Sequence, residues 1–428
     1  MCGIFFVPGF SNLSPQEQAW CRRASSRMSH RGMRTSVAVY DGDLYVHRRL
    51  PIVDVNESGD HLKDQPAMFV GEIFNFKSIN PEASHDVDVL MNVFRSQGVE
   101  GFHQFDGFWA GVIDGTVFSD YLNQKPIYFR LVPFPVFASE PRMLSMEGFG
   151  FDERFFSTVV QHGLDWSGRT AFNGVFMMPP GVMWSQGAFE QYWHWEDVPT
   201  PLALDAALRQ AFDLRCSHGD VAPVLLASGG LDSTILACMG EPLDLVHADN
   251  IGDEDFFPMV PAKSRKMVHV KPTMNEDALH ASQTPVDLGS VIPQFALSCA
   301  LEGHHVVLTG DGADELFGGY RRAAQFDSQP YDVFIELPYY HHPRLDVLMM
   351  ANTIELRTPF LAPDVVKLAL MLPRDQRIGK RILKEMFGSI VPPEILNRGK
   401  VPLRAPGFAN DLPQRAQRVA DFRLLCHD

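Results

Sequence analysis

A cysteine directly after the first methionine could act as a nucleophile that carries its own base. Removal of Met1 would place a free α-amino group beside the thiol of Cys2. Such an amino group has a pKa of about 7.7–8.0, so it can accept the thiol proton without help from a histidine. Most cysteines, however, are simply small buried hydrophobes. The sequence Met-Cys-Gly therefore predicts catalysis only in combination with other residues.

The string SGGLDS at residues 228–233 has the composition of a phosphate-binding turn. It follows an apolar segment at residues 221–227 and precedes a helical pattern, which predicts a strand, a turn and a helix. Two glycines let backbone N–H groups turn towards a phosphate, and a helix N-terminus favours an anion. Asp232 beside phosphates indicates magnesium, which prefers a few carboxylates together with phosphate oxygens. The alternative is a first-turn acid that stabilises the helix dipole.

A second turn rich in glycine and acid occupies residues 310–315, after the apolar segment at residues 305–309. Open α/β sheets bind ligands at the carboxyl ends of their strands. Asp311, Asp314 and Glu315 could therefore ligate magnesium or bind the ammonium group of a substrate. The alternative is a capped helix start with Asp311 as the N-cap residue. These residue types alone leave both interpretations open.

Further strings accompany Cys2 in a fixed order and together resemble class II glutamine amidotransferase domains. They cover nearly all of residues 1–190 and lie at residues 29–32, 48–54, 71–75, 85–88, 120–128 and 137–140. The resemblance implies that Cys2 attacks the side-chain amide of glutamine. It also implies that Arg49 binds the substrate carboxylate. The amino group would be held by Asp86 together with Gly71 and Glu72.

One departure from that family affects catalysis directly. Where the family usually has Asn-Gly-Glu, this chain has Val70-Gly71-Glu72. The asparagine amide donates to the oxyanion, and loss of one such donor typically costs about 10²–10³-fold in turnover, or about 3–4 kcal/mol. The backbone N–H of Gly71 is the donor that remains. We therefore expect a weakened glutaminase; the alternative is a domain retained for its structure after catalysis has decayed.

The second half resembles the synthetase domain of glutamine-hydrolysing asparagine synthetases, with a pyrophosphate loop of the ATP pyrophosphatase type. Besides SGGLDS, the matching positions are residues 310–320, Arg344, Asp346, residues 354–361, Lys380, Leu383, Lys384, Arg398 and Lys400. SGGLDS is not a Walker loop, since it lacks Gly-Lys-Ser/Thr. The resemblance implies that Glu355 lies near the reacting carboxylate during adenylation. Lys380 and Lys400 would neutralise phosphate charge.

The expected ligand positions of the second half fall into three groups. For ATP and its pyrophosphate they are Ala227, Ser228, Gly229, Gly230, Asp232, Ser233, Gly310 and Asp311. For the acceptor they are Asp314 and Glu315, and for Mg²⁺ they are Asp232 and Asp314. The implied cofactors are therefore ATP and Mg²⁺.

The combined resemblance implies an ATP-dependent, amide-forming ligase. Glutamine hydrolysed at Cys2 would supply ammonia to an acyl-adenylate, by default β-aspartyl-AMP, and the product would be asparagine. Two alternatives stay open. One is a relative that amidates or cyclises another carboxylate, such as a sugar, a peptide, a β-lactam or a lasso peptide. The other is a decayed regulatory homologue. The expected partners are small molecules, with a possible homodimer.

Two scaffolds must position these residues. Short apolar or alternating segments predict strands at residues 4–7, 43–46, 67–74, 108–113, 116–119 and 135–138, with helices at residues 15–27 and 86–96. Grouped strands with few helices predict an α+β layered domain, and the resemblance implies the αββα arrangement of Ntn hydrolases over residues 1–195.

After a linker-like segment at residues 195–201, the pattern changes to alternating strands and helices. Strands are predicted at residues 221–227, 244–247, 267–270 and 305–309. This alternation predicts a parallel α/β sheet within residues 196–428. Beyond residue 404 the pattern weakens, and we expect a loosely held tail.

Composition excludes several classes of protein. The 428 residues suggest two domains, and a net charge of −15 argues against a broad nucleic-acid surface. Six scattered cysteines form neither a disulfide framework nor a zinc pattern. The histidine pairs at residues 304–305 and 341–342 lack the i,i+4 spacing of helical metal ligands, so we interpret them as ordinary loop or strand-end histidines. With no signal peptide and no membrane-spanning run, the expected location is the cytoplasm.

Overall fold

The computed structural model describes residues 2–53, 62, 65–249, 253, 255–269, 275–320, 334–399, 401, 403 and 411–426. Lys400, named above as a candidate site residue, lies outside them, as do Asp54 and Val270. Within the described ranges, antiparallel sheets come first and a parallel sheet follows, which confirms the predicted fold class. None of the described helices has both the length and the apolarity that crossing a bilayer requires.

Eleven strands and four helices build the described part of the first half. The strands are β1 (Gly3–Val7), β2 (Arg34–Tyr40), β3 (Asp43–Arg49), β4 (Ala67–Ile73), β5 (Gly107–Ile113), β6 (Thr116–Ser119), β7 (Tyr128–Arg130), β8 (Val136–Ala138), β9 (Phe176–Met177), β10 (Val182–Ser185) and β11 (Ala188–Gln191). The helices are α1 (Pro15–Ser26), α2 (Phe76–Ile79), α3 (Asp86–Gln97) and α4 (Glu153–His162). One sheet has the order β2-β3-β1-β8-β7-β9 and the other has the order β11-β10-β6-β5-β4.

Alternation along β1 shows how the layers stack. Ile4 and Phe6 belong to the apolar layer between the two sheets, whereas Phe5 and Val7 pack in the cluster that includes Cys21 of α1. Successive side chains of a strand point to opposite faces, so a strand that is apolar at every position must be covered on both sides. Because α3 covers the other sheet in the same way, the layers are helix, sheet, sheet and helix.

The second half contains one five-stranded parallel sheet. Its strands are β12 (Val224–Leu226), β13 (Asp244–Ala248), β14 (Ser264–Val268), β15 (Val306–Leu308) and β16 (Glu355–Arg357). The described helices are α5 (Leu204–Ser217), α6 (Leu231–Met239), α7 (Asn275–Ser282), α8 (Leu288–Ala300), α9 (Ala313–Leu316), α10 (His342–Met350), α11 (Pro363–Met371), α12 (Arg374–Arg377), α13 (Arg381–Phe387), α14 (Pro393–Leu396) and α15 (Leu412–Leu425).

The order of this sheet is β14-β13-β12-β15-β16. The chain therefore moves outwards from β12 to β14 and then returns to place β15 on the other side of β12. Such a reversal is a topological switch point, where ligands of open α/β sheets bind in a crevice at the carboxyl ends of the strands. The two glycine-rich turns predicted to bind ligands follow β12 and β15, the strands on either side of that crevice.

The expectation of a loosely held tail is wrong for residues 411–426. They form α15, which Asp411 caps by accepting a hydrogen bond from the backbone of Gln414. Phe422 is fully buried, with its ring 5.9 Å from that of Phe151 in the first half. A single large aromatic side chain removes enough apolar surface from water to hold a helix whose sequence pattern is otherwise weak.

Candidate active sites

Cys2 lies immediately before β1, where the first sheet meets the second half of the chain. It packs against the apolar layer between the sheets and is partly exposed. Its carbonyl oxygen accepts a hydrogen bond of 3.2 Å from Nε of Arg31. Burial raises the pKa of the Cys2 thiol, although a hydrogen bond from the backbone of Leu50 acts in the opposite direction. A thiol with a raised pKa needs a base beside it before it can act as a nucleophile.

Only glycine fits at position 71 of β4. Its φ of 126° is left-handed, and a Cβ there would lie 2.0 Å from the carbonyl oxygen of Phe108. The neighbouring Val70 is 1% exposed and packs in the apolar layer between the sheets, the layer on which Cys2 also packs. Valine therefore fills apolar space next to the cysteine and offers no hydrogen-bond donor.

The structure brings the predicted glutamine-binding residues close to Cys2. Glu72 and Arg49 act with opposite sign on the pKa of the Cys2 thiol, the carboxylate raising it and the guanidinium lowering it. Asp86, at the start of α3, accepts hydrogen bonds from the backbone of Ile73 and Val87 at 3.0 and 2.8 Å. Burial and the nearby charge of Glu72 raise the pKa of Asp86 to about 7.

This group also includes a histidine that no sequence pattern singles out. His218 follows α5 of the second half, and its Nε2 lies 2.6 Å from Oε2 of Glu72. Glu72, Asp86 and His218 each place one ligand atom within 4.8 Å of the others. Two carboxylates and an imidazole could hold a divalent metal ion. The short imidazole–carboxylate contact already places a cationic partner against Glu72 when the ring is protonated.

The predicted nucleotide residues surround a cavity of about 860 Å³ at the carboxyl ends of β12 and β15. The candidates that line it are Ala227, Ser228, Gly230, Asp232, Ser233, Gly310, Asp311, Asp314, Glu315 and Lys380. The two turns touch, since a Cβ on Gly310 would lie 2.9 Å from Cβ of Asp232. Gly229 packs instead against the backbone of Phe256. Residues 162–164 and Trp166 of the first half also line the cavity.

Lys380 bridges the two carboxylates that were predicted to bind magnesium. Its Nζ lies 2.5 Å from Oδ2 of Asp232 and 2.5 Å from Oδ1 of Asp314. The lysine has a left-handed backbone with φ of 60°, which is uncommon outside glycine and is found at functional sites. Its N–H donates to the carbonyl of Phe317 at 2.9 Å, so the two loops are fixed against each other.

Other residues of the cavity lining carry charged groups suited to an amino-acid acceptor. Oε1 of Glu315 accepts from the hydroxyl of Tyr320 at 2.5 Å and lies 3.3 Å from Nε2 of His341. Burial raises the pKa of Glu315. The guanidinium of Arg344 lies over the ring of Tyr340, 4.4 Å from its centroid.

The interpretation of residues 341–342 as loop or strand-end histidines is wrong. His341 ends a π-helical turn (Leu337–His341) that continues into α10, and it lines the cavity beside Glu315. His342 is buried on the other side, where its Nδ1 lies 2.6 Å from the carbonyl oxygen of Leu122 and burial lowers its pKa to about 3. Consecutive helical residues point in different directions, so the pair cannot act as one unit.

Arg398 also lines the cavity. It donates to the carbonyl of Ser228 at 2.8 Å, pairs with Asp253, and lies over the ring of Phe256 at 4.3 Å from the centroid. Sequence reasoning selected Arg398 by resemblance and missed Asp253 and Phe256. Both lie between β13 and β14, a region whose sequence carries no glycine-rich or acidic string with a known role.

Glu355 is not one of the described residues that line the cavity. It begins β16 and is fully buried, and its Oε1 accepts a hydrogen bond of 2.7 Å from Arg357. Nothing in the described part of the chain hydrogen-bonds its Oε2. Burial, reinforced by the charge of Glu72, raises the pKa of Glu355. Glu355 therefore lies at the amino end of β16, opposite Val306, and its predicted role at the reacting carboxylate stays a prediction.

Buried ion pairs join the Cys2 region to α10. Arg31 donates to Glu140 at 2.8 Å and to Asp346 at 2.7 Å, while Lys125 donates to the second oxygen of Asp346 at 2.9 Å. All four side chains are at most 3% exposed. Because Arg31 also donates to the carbonyl of Cys2, one side chain connects the backbone at Cys2 to a helix of the second half.

Comparison with known proteins identifies both halves independently. The glutamine amidotransferase domain family matches residues 1–195, and the asparagine synthase family matches residues 268–336 and 331–424. The glutamine-hydrolysing asparagine synthetase 1 of Arabidopsis thaliana is 25% identical over 475 residues, which cover 94% of this chain and 77% of that protein. Asparagine synthetase B of Escherichia coli is 25% identical over 472 residues, which cover 94% and 81%. A solved glutamine phosphoribosylpyrophosphate amidotransferase from B. subtilis is 13% identical, with a TM-score of 0.31 over 63% of this chain and 81% of that one.

Proposed function

Because the chain belongs to the family of glutamine-hydrolysing asparagine synthetases, we propose that it converts aspartate to asparagine through β-aspartyl-AMP. Glutamine would supply the nitrogen and ATP the adenylate. The glutaminase domain would comprise residues 1–195 and the synthetase domain residues 196–428. A homodimer and a cytoplasmic location are further parts of this proposal.

In the glutaminase half, Cys2 attacks the side-chain amide of glutamine once removal of Met1 has provided the α-amino base. The raised pKa of the Cys2 thiol makes such a base necessary. Arg49 binds the α-carboxylate of glutamine, while Glu72 and Asp86 bind its ammonium group. The backbone N–H of Gly71 stabilises the oxyanion without help from Val70, so turnover is expected to be slow.

In the synthetase half, the turns after β12 and β15 hold the triphosphate of ATP. The observation that carries this assignment is the contact of these turns at the switch point, with Lys380 clamped between Asp232 and Asp314 inside a cavity large enough for ATP. The two buried carboxylates offer the hard oxygen ligands that magnesium prefers. Bound there, Mg²⁺ would neutralise charge on the pyrophosphate leaving group. Lys380 would bind phosphate oxygens.

The acceptor would occupy the end of the cavity that contains Glu315 and Arg344. A dicarboxylic amino acid needs both a cation and an anion from the protein, and this end supplies both. Adenylation gives the carboxylate a good leaving group, and ammonia from the first half then displaces AMP. Ammonia must reach the cavity without escaping to solvent, which is consistent with the buried contacts between the halves.

The proposal is tested by release of pyrophosphate from ATP–Mg²⁺, with aspartate and either glutamine or ammonium. Asp232→Ala should abolish release with both nitrogen donors, because it removes a carboxylate of the cavity. Asp375→Ala is the matched control, since Asp375 lies on α12 and its side chain is 74% exposed. Cys2→Ala should abolish the glutamine-dependent reaction and spare the ammonium-dependent one.

Release that does not depend on aspartate would remove aspartate from the proposal. A panel of carboxylates, tested by exchange of labelled pyrophosphate into ATP, would then identify another acceptor. Equal loss of the glutamine and ammonium reactions in Cys2→Ala would contradict the assignment of separate sites. Conversion of ATP only to ADP and phosphate would reject the adenylating mechanism itself.

A further inference from the structure

His218 belongs to the second half of the chain but reaches into the glutamine-binding group of the first. Its side chain is 6% exposed, and its Nε2 lies 2.6 Å from Oε2 of Glu72. The rings of Phe74 and Phe76 meet the imidazole edge-on, with centroids 5.2 and 5.9 Å away. These apolar neighbours exclude water from the contact and leave the carboxylate as its polar partner. A charge-assisted hydrogen bond in such surroundings is strong.

The main chain of His218 is fixed as firmly as its side chain. Its carbonyl oxygen accepts a hydrogen bond of 2.8 Å from Nη1 of Arg357, which also donates to the carbonyl of Arg215 at 2.7 Å. Arg357 is fully buried and is itself held by Glu355 at 2.7 Å. These hydrogen bonds restrain the backbone at residue 218, and they thereby fix the orientation in which the imidazole contacts Glu72.

The charged groups that act on His218 are Glu72, Asp86 and Arg357. Burial favours the neutral imidazole, but the charge and hydrogen bond of Glu72 outweigh it and raise the pKa of His218. In the same way burial opposes ionisation of Glu72, yet His218 outweighs it and lowers the pKa of Glu72. The contact therefore favours an imidazolium paired with a carboxylate, and burial with the charge of Glu72 raises the pKa of the neighbouring Asp86 to about 7.

We propose that His218 is a positioning residue of the glutaminase site, which holds the carboxylate of Glu72 in the orientation that receives the α-ammonium group of glutamine. This inference rests on the proposed glutaminase function. One carboxylate oxygen of Glu72 accepts from His218, which leaves the other for the ammonium group of glutamine. Without the imidazole, the buried carboxylate of Glu72 and the half-buried carboxylate of Asp86 would lie side by side without the charge of His218, and adjacent carboxylates resist carrying two charges. The site would then bind an ammonium group poorly.

Binding of glutamine to protein that carries Cys2→Ala isolates this effect, because the substrate is not turned over. We expect His218→Met to weaken binding about tenfold or more at neutral pH, as loss of a charge-assisted hydrogen bond predicts. His218→Gln retains a donor without the charge and should recover part of the affinity. The pH below which binding weakens should rise in His218→Met, since the pKa of Glu72 is no longer lowered by the imidazolium.

The matched control is His103→Gln, because His103 is equally buried but contacts main-chain groups of Glu100 and His194. It should leave glutamine binding and its pH profile unchanged. In protein that retains Cys2, His218→Met should raise KM for glutamine and leave the ammonium-dependent reaction within about twofold, which shows that the fold is intact. Calorimetric titrations from pH 5.5 to 8.5 would supply the affinities.

An affinity and a pH profile that are the same in His218→Met and the parent protein would overturn the inference and leave the proposed function standing. If the Cys2→Ala parent binds no glutamine while ammonium still supports synthesis, the glutaminase function and the inference both fail. If His218→Met loses the ammonium reaction as well, His218 serves the fold as a whole, and the specific role is rejected.

Discussion

Replacement of Lys380 by methionine should destabilise the second half and then make its stability depend on magnesium. Lys380, Asp232 and Asp314 are all less than a tenth exposed, and the ammonium contacts both carboxylates at 2.5 Å. Methionine retains the volume but removes the ammonium group that both buried carboxylates contact. Removal of one partner from a buried ion pair costs about 3–5 kcal/mol. A saturating cation at 100 times its dissociation constant would restore about 2.7 kcal/mol of the unfolding free energy.

The measurement is denaturant unfolding with and without Mg²⁺, together with hydrogen exchange of residues 310–320. Because the chain has two domains, exchange locates the change in a way that one global transition cannot. Lys263→Met is the control, since Lys263 makes an exposed pair with Asp244 at 3.9 Å, and such pairs contribute about 0–1 kcal/mol. Pyrophosphate release by Lys380→Met should fall at least 10²-fold.

Two results would refute this reasoning. If Lys380→Met unfolds at the same denaturant concentration as the parent, the carboxylates do not need a buried cation. If Mg²⁺ stabilises parent and variant equally, Asp232 and Asp314 are not the groups that receive the metal. If activity is lost while the unfolding midpoint and its response to Mg²⁺ stay the same, Lys380 acts only as a ligand of phosphate.

Three further predictions test other parts of the molecule. Val70→Asn adds an amide to the apolar layer on which Cys2 packs, and it should raise glutamine hydrolysis, measured as glutamate release, by up to about 10²-fold. Burial of the polar amide should lower the unfolding free energy by about 1–3 kcal/mol, which thermal unfolding would measure. Phe422→Ala should cost about 3–5 kcal/mol and expose α15 to proteolysis, because the ring is fully buried. His30 and Arg31 outweigh burial and lower the pKa of Glu140 from its ordinary 4.5 to about 2. Ionisation of Glu140 therefore adds about 3 kcal/mol to the unfolding free energy above pH 4.5, and this contribution is lost as the pH falls towards 2. The difference in unfolding free energy between the parent and Glu140→Gln should shrink over that interval, and a constant difference would contradict the assignment.

Local patterns made much of the scaffold predictable. The alternation of Ile4 and Phe6 with Phe5 and Val7 requires cover on both faces of β1, and the structure supplies it. The turns after β12 and β15 were also predictable, because strand, glycine-rich turn and helix follow one another within a few residues. Strand β2 was missed because its exposed side chains at alternate positions include valine as well as threonine, which blurs the amphipathic pattern at a sheet edge.

The contacts between the halves could not be predicted from local patterns. His218 and Glu72 are 146 residues apart in sequence, and the segment after α5 has no periodicity or motif that selects a histidine. His341 was misjudged for a related reason. The spacing of His341 and His342 excludes a helical metal-ligand pair and predicts nothing else about either residue. The position of His341 beside Glu315 depends on a π-helical turn that repositions the following helix. Long-range pairing depends on how two domains dock, and a single sequence does not encode that in any short window.

The docking of the two halves depends on charge at the point where the reaction requires a fixed geometry. An apolar interface tolerates small sliding movements, since dispersion contacts have no preferred direction. Asp346 on α10 is different, because Arg31 and Lys125 of the first half each bind one of its two oxygens within 3 Å. Such buried pairs add little net stability but can set one register between packed elements. Arg344, which lines the cavity, lies on the same helix only two residues from Asp346. Through Arg31, Asp346 therefore connects the helix that carries Arg344 to the backbone at Cys2, so the two halves are held in one register where both proposed sites lie.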